Sequence, residues 1–131
     1  MLTRRDFCFA SLLVCLGLPC LASAQCQGQT TQPVPFAEER VVVGSSAVGL
    51  TPAQYQQAGN VAALAMIQVQ DASIVYRVAG TPASTPTIIG IVAATWSPLS
   101  ICGIDSIRAF KAIRLSSDAA LWVSYYKSKQ P

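Results

Sequence analysis

The chain is dominated by short runs of β-forming residues, each ended by residues that favour turns. Residues 62–70 show the pattern best, because Ala65, Ile67 and Val69 alternate with Met66 and Gln68. A repeat of two is typical of a half-buried strand. Several such strands at close spacing predict an all-β fold, a single antiparallel β-sandwich of jelly-roll-like form. The predicted strands are 38–44, 62–70, 73–80, 87–95, 96–103, 106–115 and 119–127.

The strands around Asp71 give the strongest local prediction. Residues 67–78 read as two strands joined by a tight turn, since Asp side chains bond to nearby backbone in turns. We therefore predict a hairpin here. The predicted core residues are Ile67, Val69, Ile74, Tyr76, Ile89, Ile91, Leu99, Ile101, Ile107, Phe110, Ile113, Leu121 and Val123.

One short helix is expected in a connection, over residues 51–59. Thr51 suits the N-cap, Pro52 the first helical position and Gly59 the end.

The N-terminus has the pattern of an export signal. Arg4 and Arg5 precede an apolar stretch over 7–21, and small residues follow at 22–24. We therefore predict three regions: a signal peptide or apolar segment over 1–24, a polar linker or arm over 25–35, and the β-sandwich over 36–131.

The route of export has two interpretations. Thr3, Arg4, Arg5 and Phe7 resemble the twin-arginine signal, which implies transport of a folded protein. The strongly apolar stretch is equally typical of the general secretory route, for which two arginines are simply the positive start.

Cleavage after Ala24 would leave two of the five cysteines, Cys26 and Cys102. In an oxidising compartment such a pair favours a disulfide. The alternative is that Cys102, which lies in an apolar run, is a small buried hydrophobic residue.

The residues argue against catalysis. The chain contains no His, which excludes a Ser-His-Asp triad and makes a zinc site with Cys and His ligands untenable. Glu38 and Glu39 are adjacent on a strand, so they should point to opposite faces and not form a carboxylate pair. We predict a protein that is not an enzyme and needs no cofactor or metal. Removal of residues 1–24 would leave seven basic and five acidic side chains, a net charge of +2, which is too small to predict nucleic-acid binding.

Three aromatic residues are candidates for contact with a partner: Trp96, Trp122 and Tyr126. Trp96 precedes Ser97-Pro98 and could stand at a loop rim, and the other two lie on the last strand. Exposed aromatic rings bind protein or sugar. The alternative is that these rings pack in the core or cover a sheet edge.

Residues 62–126 resemble small β-sandwich proteins encoded in tailed-bacteriophage genomes. The resemblance is carried by ALAMIQVQDASIVYRVAGTPAS, by SIRAFKAI and by AALWVSYY, with Ala79 where the pattern usually has an acidic residue. It implies a virion component, such as a head-decoration, head-fibre or tail-associated module, that binds neighbouring subunits.

Two functions are therefore expected. The first is a non-enzymatic structural module of a phage or prophage virion, with protein partners that are copies of itself or other virion subunits. The alternative is an exported bacterial β-sandwich protein that binds a partner or glycan in the periplasm or at the cell surface. Neither involves nucleic acid, or a membrane once the signal is removed.

Overall fold

The computed structural model describes residues 32–128. In this range the chain forms eight strands and two short helices. They are β1 (Pro33–Val43), β2 (Val48–Gly49), α1 (Pro52–Tyr55), β3 (Leu64–Gln70), β4 (Ile74–Arg77), β5 (Ile91–Ala93), β6 (Pro98–Cys102), α2 (Ile104–Ala109), β7 (Lys111–Arg114) and β8 (Ala119–Ser128).

The strands form two four-stranded sheets with antiparallel pairing throughout. The first sheet has the order β1-β8-β3-β6 and the second has the order β2-β7-β4-β5. The predicted all-β class is therefore confirmed. The chain changes sheet at every connection except the one between β4 and β5, which are neighbours in the second sheet.

The two sheets contribute to one hydrophobic cluster. Leu121, Val123 and Tyr125 on β8 are fully buried, while Trp122 between them is exposed, so the predicted alternation of the last strand is confirmed. On the second sheet, Ile74 and Ala112 are fully buried in the same cluster. The alternating side chains of both sheets thus point toward shared apolar contacts.

The predicted hairpin about Asp71 is wrong, although both of its strands exist. β3 pairs with β6 and β8, whereas β4 pairs with β5 and β7. Asp71 adopts a left-handed conformation (φ 69°), and the chain passes there from one sheet to the other. The turn residue was identified correctly, but a turn between two strands does not require that they pair with each other.

Two predictions about helices need correction. Residues 106–115 are not one strand, because α2 ends at Ala109 before β7 begins at Lys111. The described residues therefore contain two helices instead of one. The predicted helix at 51–59 is present but ends at Tyr55, and Gly59 lies beyond it in a turn with φ 77°.

β1 extends past Phe36, the predicted first residue of the β-sandwich, toward the N-terminus. β1 starts at Pro33, and Pro33, Val34 and Pro35 pair with β8 although the sequence placed them in the linker. The signal segment 1–24 and linker residues 25–31 lie outside the described residues. Most predicted core residues are buried, but Ile89 and Ile91 are about half exposed, which corrects the prediction at the β5 edge of the second sheet.

Candidate interaction surface

Sheet edges are the places where a β protein can add a strand from another chain, so natural edges are usually protected by prolines, charges, bulges or short length. β1 carries Pro33, Pro35, a register shift at Phe36 and the charged residues 38–40. β6 begins with Pro98 and ends at Cys102, and β2 is only two residues long. β1, β6 and β2 thus each have a recognisable form of protection, whereas β5, at three residues, is protected only by its short length.

The fourth edge, at β5, is apolar and uncharged. No Asp, Glu, Lys or Arg lies between Arg77 and Asp105 in the sequence. Of the ten large hydrophobic side chains exposed within residues 32–128, six lie in this uncharged stretch. We call this set the β5 edge: Val78, Ile88, Ile89, Ile91, Val92 and Trp96. Exposed apolar side chains that gather on a surface mark interaction sites on proteins, and these six lie on β5 or in the segments that adjoin β4 and β5.

Local backbone geometry keeps the β5 edge in place. Ala83 and Ile89 exchange two backbone hydrogen bonds (3.0 and 2.8 Å), which close the segment before β5 into a small bridged loop. Gly90 has φ 137°, a conformation that L side chains rarely adopt. A Cβ atom at Gly90 would lie 2.7 Å from the Tyr76 carbonyl oxygen, so β4 and the loop approach more closely than a side chain allows.

Trp96 follows β5 by three residues, in the connection to β6. Its backbone N–H donates a 2.6 Å hydrogen bond to the Val69 carbonyl oxygen, and its φ is 68°. The side chain is 65 % exposed, the most exposed large hydrophobic group in residues 32–128. The ring therefore does not pack in the core, and it is positioned by backbone contacts instead of by burial.

Trp122 and Tyr126 lie elsewhere, on the outward side of β8 in the first sheet. With Met66 and Pro98 they line a shallow depression of about 270 Å³. The register places Trp122 opposite Gln68, and Gln68 opposite Pro98. The depression combines aromatic and apolar groups with an amide. Trp122 and Tyr126 belong to the first sheet and β5 to the second, so these two aromatic residues are not part of the β5 edge.

Cys102, at the end of β6, is disulfide-bonded. It is the only cysteine in residues 32–128. The predicted partner, Cys26, lies outside the described residues, and the Cys26–Cys102 pairing stays a prediction.

The acidic residues have structural partners. Ser124 Oγ donates to Glu38 Oε1 (3.3 Å), while the Tyr125 phenol and the Thr51 backbone N–H donate to Glu39 Oε1 (2.5 and 3.0 Å). Glu38 and Glu39 therefore do point to opposite sides of β1. Burial raises the pKa of the Tyr125 phenol far above its ordinary range, and the Glu39 carboxylate raises it further through the hydrogen bond and its negative charge.

Residues 32–128 contain no group of three His, Cys, Asp or Glu side chains placed to hold a metal ion. None of the helices in that range has the length and apolar character needed to span a membrane. Comparisons of the chain with known protein families, with curated proteins and with solved structures find no match.

One property of the sequence, the lack of charged residues around β5, could have indicated the β5 edge, but the strand pattern favoured a buried strand. The run of β-branched residues at 87–95 resembles a buried strand, and this led to the prediction that Ile89 and Ile91 belong to the core. The uncharged stretch in which they lie could have indicated an interface, since apolar residues without charged neighbours are typical of the centres of protein contacts.

Proposed function

We propose that this chain is a non-enzymatic structural module of a phage or prophage virion that acts by binding neighbouring protein subunits. The single observation that carries the proposal is the β5 edge, where uncharged and exposed apolar residues coincide with a sheet edge. A sheet edge offers unpaired backbone N–H and C=O groups, and apolar side chains beside it favour burial by a partner.

The proposed fold is a jelly-roll β-sandwich. The strand orders β1-β8-β3-β6 and β2-β7-β4-β5 place strands joined in sequence at matching positions of the two sheets. Residues of both sheets contribute to a common apolar cluster, which supports face-to-face packing. Double-sheet jelly rolls are common in viral capsid proteins, although the fold itself does not define a function.

A protein partner suits the β5 edge better than a small ligand does. The edge is formed by Ile and Val side chains and one Trp, with no charged group in the same stretch of sequence. Binding sites for small ligands are concave and combine apolar walls with a few placed polar groups. A protein surface, by contrast, can cover an apolar edge and add backbone hydrogen bonds to it.

The test is the composition of purified virus particles. Particles induced from the source bacterium should be purified by density gradient and analysed by mass spectrometry for peptides from residues 32–128. The proposal predicts this chain in the particle fraction at a copy number comparable to other structural proteins. Its recovery only outside the particles, under conditions in which capsid proteins are abundant, would contradict the virion assignment.

The second candidate is an exported binding protein of the periplasm or cell surface, and the disulfide at Cys102 favours it. Disulfides persist in oxidising compartments, which include the periplasm and the surfaces of cells and virions. The intact mass of the protein purified from its source tests this alternative. Loss of residues 1–24 supports export, and an intact N-terminus in purified particles opposes it.

A further inference from the structure

We propose that two copies of this chain join at the β5 edge, by antiparallel pairing of β5 with β5 of the second copy. The inference rests on the proposed function in so far as both require this edge to contact protein. It adds the identity of the partner and the register of the contact, with Val92 at the twofold axis.

The four sheet edges differ in how they are protected. β1 is protected by prolines, a register shift and charges, β6 begins with a proline, and β2 is too short to template a strand. β5 is also short, at three residues, but it has neither proline nor charge, and Ile88 and Ile89 extend its apolar surface. In residues 32–128 it is therefore the edge least protected against pairing.

An added strand would fit against the open side of β5. Ile91 pairs with Tyr76 and Ala93 pairs with Ile74, so these β5 side chains lie on the same face as residues that pack with the core. Ala93 is buried, but Ile91 is 58 % exposed because β5 has no neighbour on its other side among the described residues. A further strand would cover Ile91 and extend the apolar row of the second sheet.

The β5 strand of a second copy is complementary to β5 of the first. Antiparallel pairing about Val92 places Val92 opposite Val92 of the second copy, and Ile91 opposite Ala93 of the second copy. Every pair is then apolar on both sides, and the uncharged stretch 78–104 brings no like charges together. A contact that uses the same patch on both subunits is the commonest way in which soluble proteins form homodimers.

Trp96 completes the contact at its rim. It follows β5 by three residues and is more exposed than any other large hydrophobic side chain in residues 32–128. In an antiparallel pair the end of one β5 lies near the beginning of the other, which brings Trp96 of one copy toward Ile88 and Ile89 of its partner. Trp is among the residues that contribute most to binding at protein interfaces.

The primary test compares the solution mass of the full chain with that of two matched variants. Val92→Lys places a charge at the centre of the proposed contact. Val42→Lys makes the same change at an exposed valine on β1, a different edge. Sedimentation should show a dimer for the unmodified chain and for Val42→Lys, and a monomer for Val92→Lys. A monomeric unmodified chain at about 100 μM, or an undiminished dimer of Val92→Lys, would overturn the inference.

A cross-link tests the register independently. Residues directly opposite each other in antiparallel strands have Cα atoms about 4.5–5.5 Å apart, within the range a disulfide spans. Val92→Cys should therefore form a covalent dimer on mild oxidation, whereas Val42→Cys should not. Equal cross-linking of both variants, or none in Val92→Cys, contradicts the proposed register.

These tests can fail separately from the virion assignment. A dimer joined at Val92 in a protein that is absent from particles supports the contact and contradicts the virion function. A chain found in particles whose Val92→Lys variant assembles and dimerises normally supports the virion function and contradicts the contact.

Discussion

The Tyr125 phenol donates a 2.5 Å hydrogen bond to Glu39 Oε1, which joins the centre of β8 to the edge strand β1. The same carboxylate oxygen accepts the Thr51 backbone N–H (3.0 Å) at the start of α1. The Tyr125 ring also makes an edge-to-face contact with Tyr55 of α1. One buried side chain thus connects two strands and a helix around a partly buried carboxylate.

Removal of this hydroxyl should lower the stability of the fold. Hydrogen bonds to charged groups contribute about 1.5–3 kcal/mol, so Tyr125→Phe should reduce the free energy of unfolding by about 2 kcal/mol. Tyr126→Phe is the matched control, because Tyr126 lies on the opposite side of β8 and should lose less than about 0.5 kcal/mol. Urea unfolding measures both. Equal losses in the two variants would contradict the role given to the Tyr125–Glu39 bond.

The same residue predicts a loss of stability at alkaline pH. Burial, the Glu39 hydrogen bond and the Glu39 charge raise the pKa of Tyr125 in the folded state above its value in the unfolded chain, which is about 10. Below pH 10 both states keep the proton, so the stabilisation is fully present. Above pH 10 the unfolded state alone releases it, and stability should fall by about 1.4 kcal/mol per pH unit. The free energy of unfolding, measured between pH 9 and 11, should fall with this slope in the unmodified chain and with a smaller slope in Tyr125→Phe.

Gly90 should tolerate no side chain. An alanine Cβ there would lie 2.7 Å from the Tyr76 carbonyl oxygen and 2.9 Å from Val75 Cγ1, in addition to the strained φ of 137°. Gly90→Ala should therefore destabilise the fold by about 3 kcal/mol. Gly59→Ala also meets a positive φ but has open space around it, and should cost about 1 kcal/mol. Similar losses measured by thermal unfolding would mean that β4 and the loop do not constrain Gly90.

Substitution of single cysteines should identify the residue that is bonded to Cys102. If Cys26 is that partner, Cys26→Ser and Cys102→Ser should lower the free energy of unfolding equally, each by about 4 kcal/mol in the loop-entropy model. Cys20→Ser serves as the control and should leave stability unchanged. Peptide mapping without reduction should then recover residues 26 and 102 in one linked species. A Cys26→Ser variant with unchanged stability would assign the bond to another cysteine.

The sequence predicted the strands better than their partners. Alternation along 62–70 and 119–127 identifies β3 and β8 and their buried faces, because side-chain periodicity is a local property. The hairpin about Asp71 failed because pairing depends on residues far away in the sequence: β3 lies between β6 and β8. Periodicity alone also did not reveal α2, a helix of six residues that is too short to show a helical repeat.

The interaction surface could be predicted only in part. Trp96 was placed at a loop rim from the Ser97-Pro98 that follows it, and it is indeed exposed. Ile89 and Ile91 were assigned to the core because an apolar β-branched strand looks the same whether it lies inside a sheet or at its edge. The position of β5 at the end of the second sheet is a property of the whole topology, which no single segment encodes.

Backbone amide exchange at β5 tests the central claim most directly, because it detects strand addition at the edge itself. The peptide covering residues 88–96 should exchange more slowly at about 200 μM protein than at about 2 μM, as the contact fills. Peptides from the protected edge β1, residues 33–43, should exchange at the same rate at both concentrations. Exchange of residues 88–96 that does not change with concentration, in a chain that sediments as a dimer, would contradict pairing at the β5 edge.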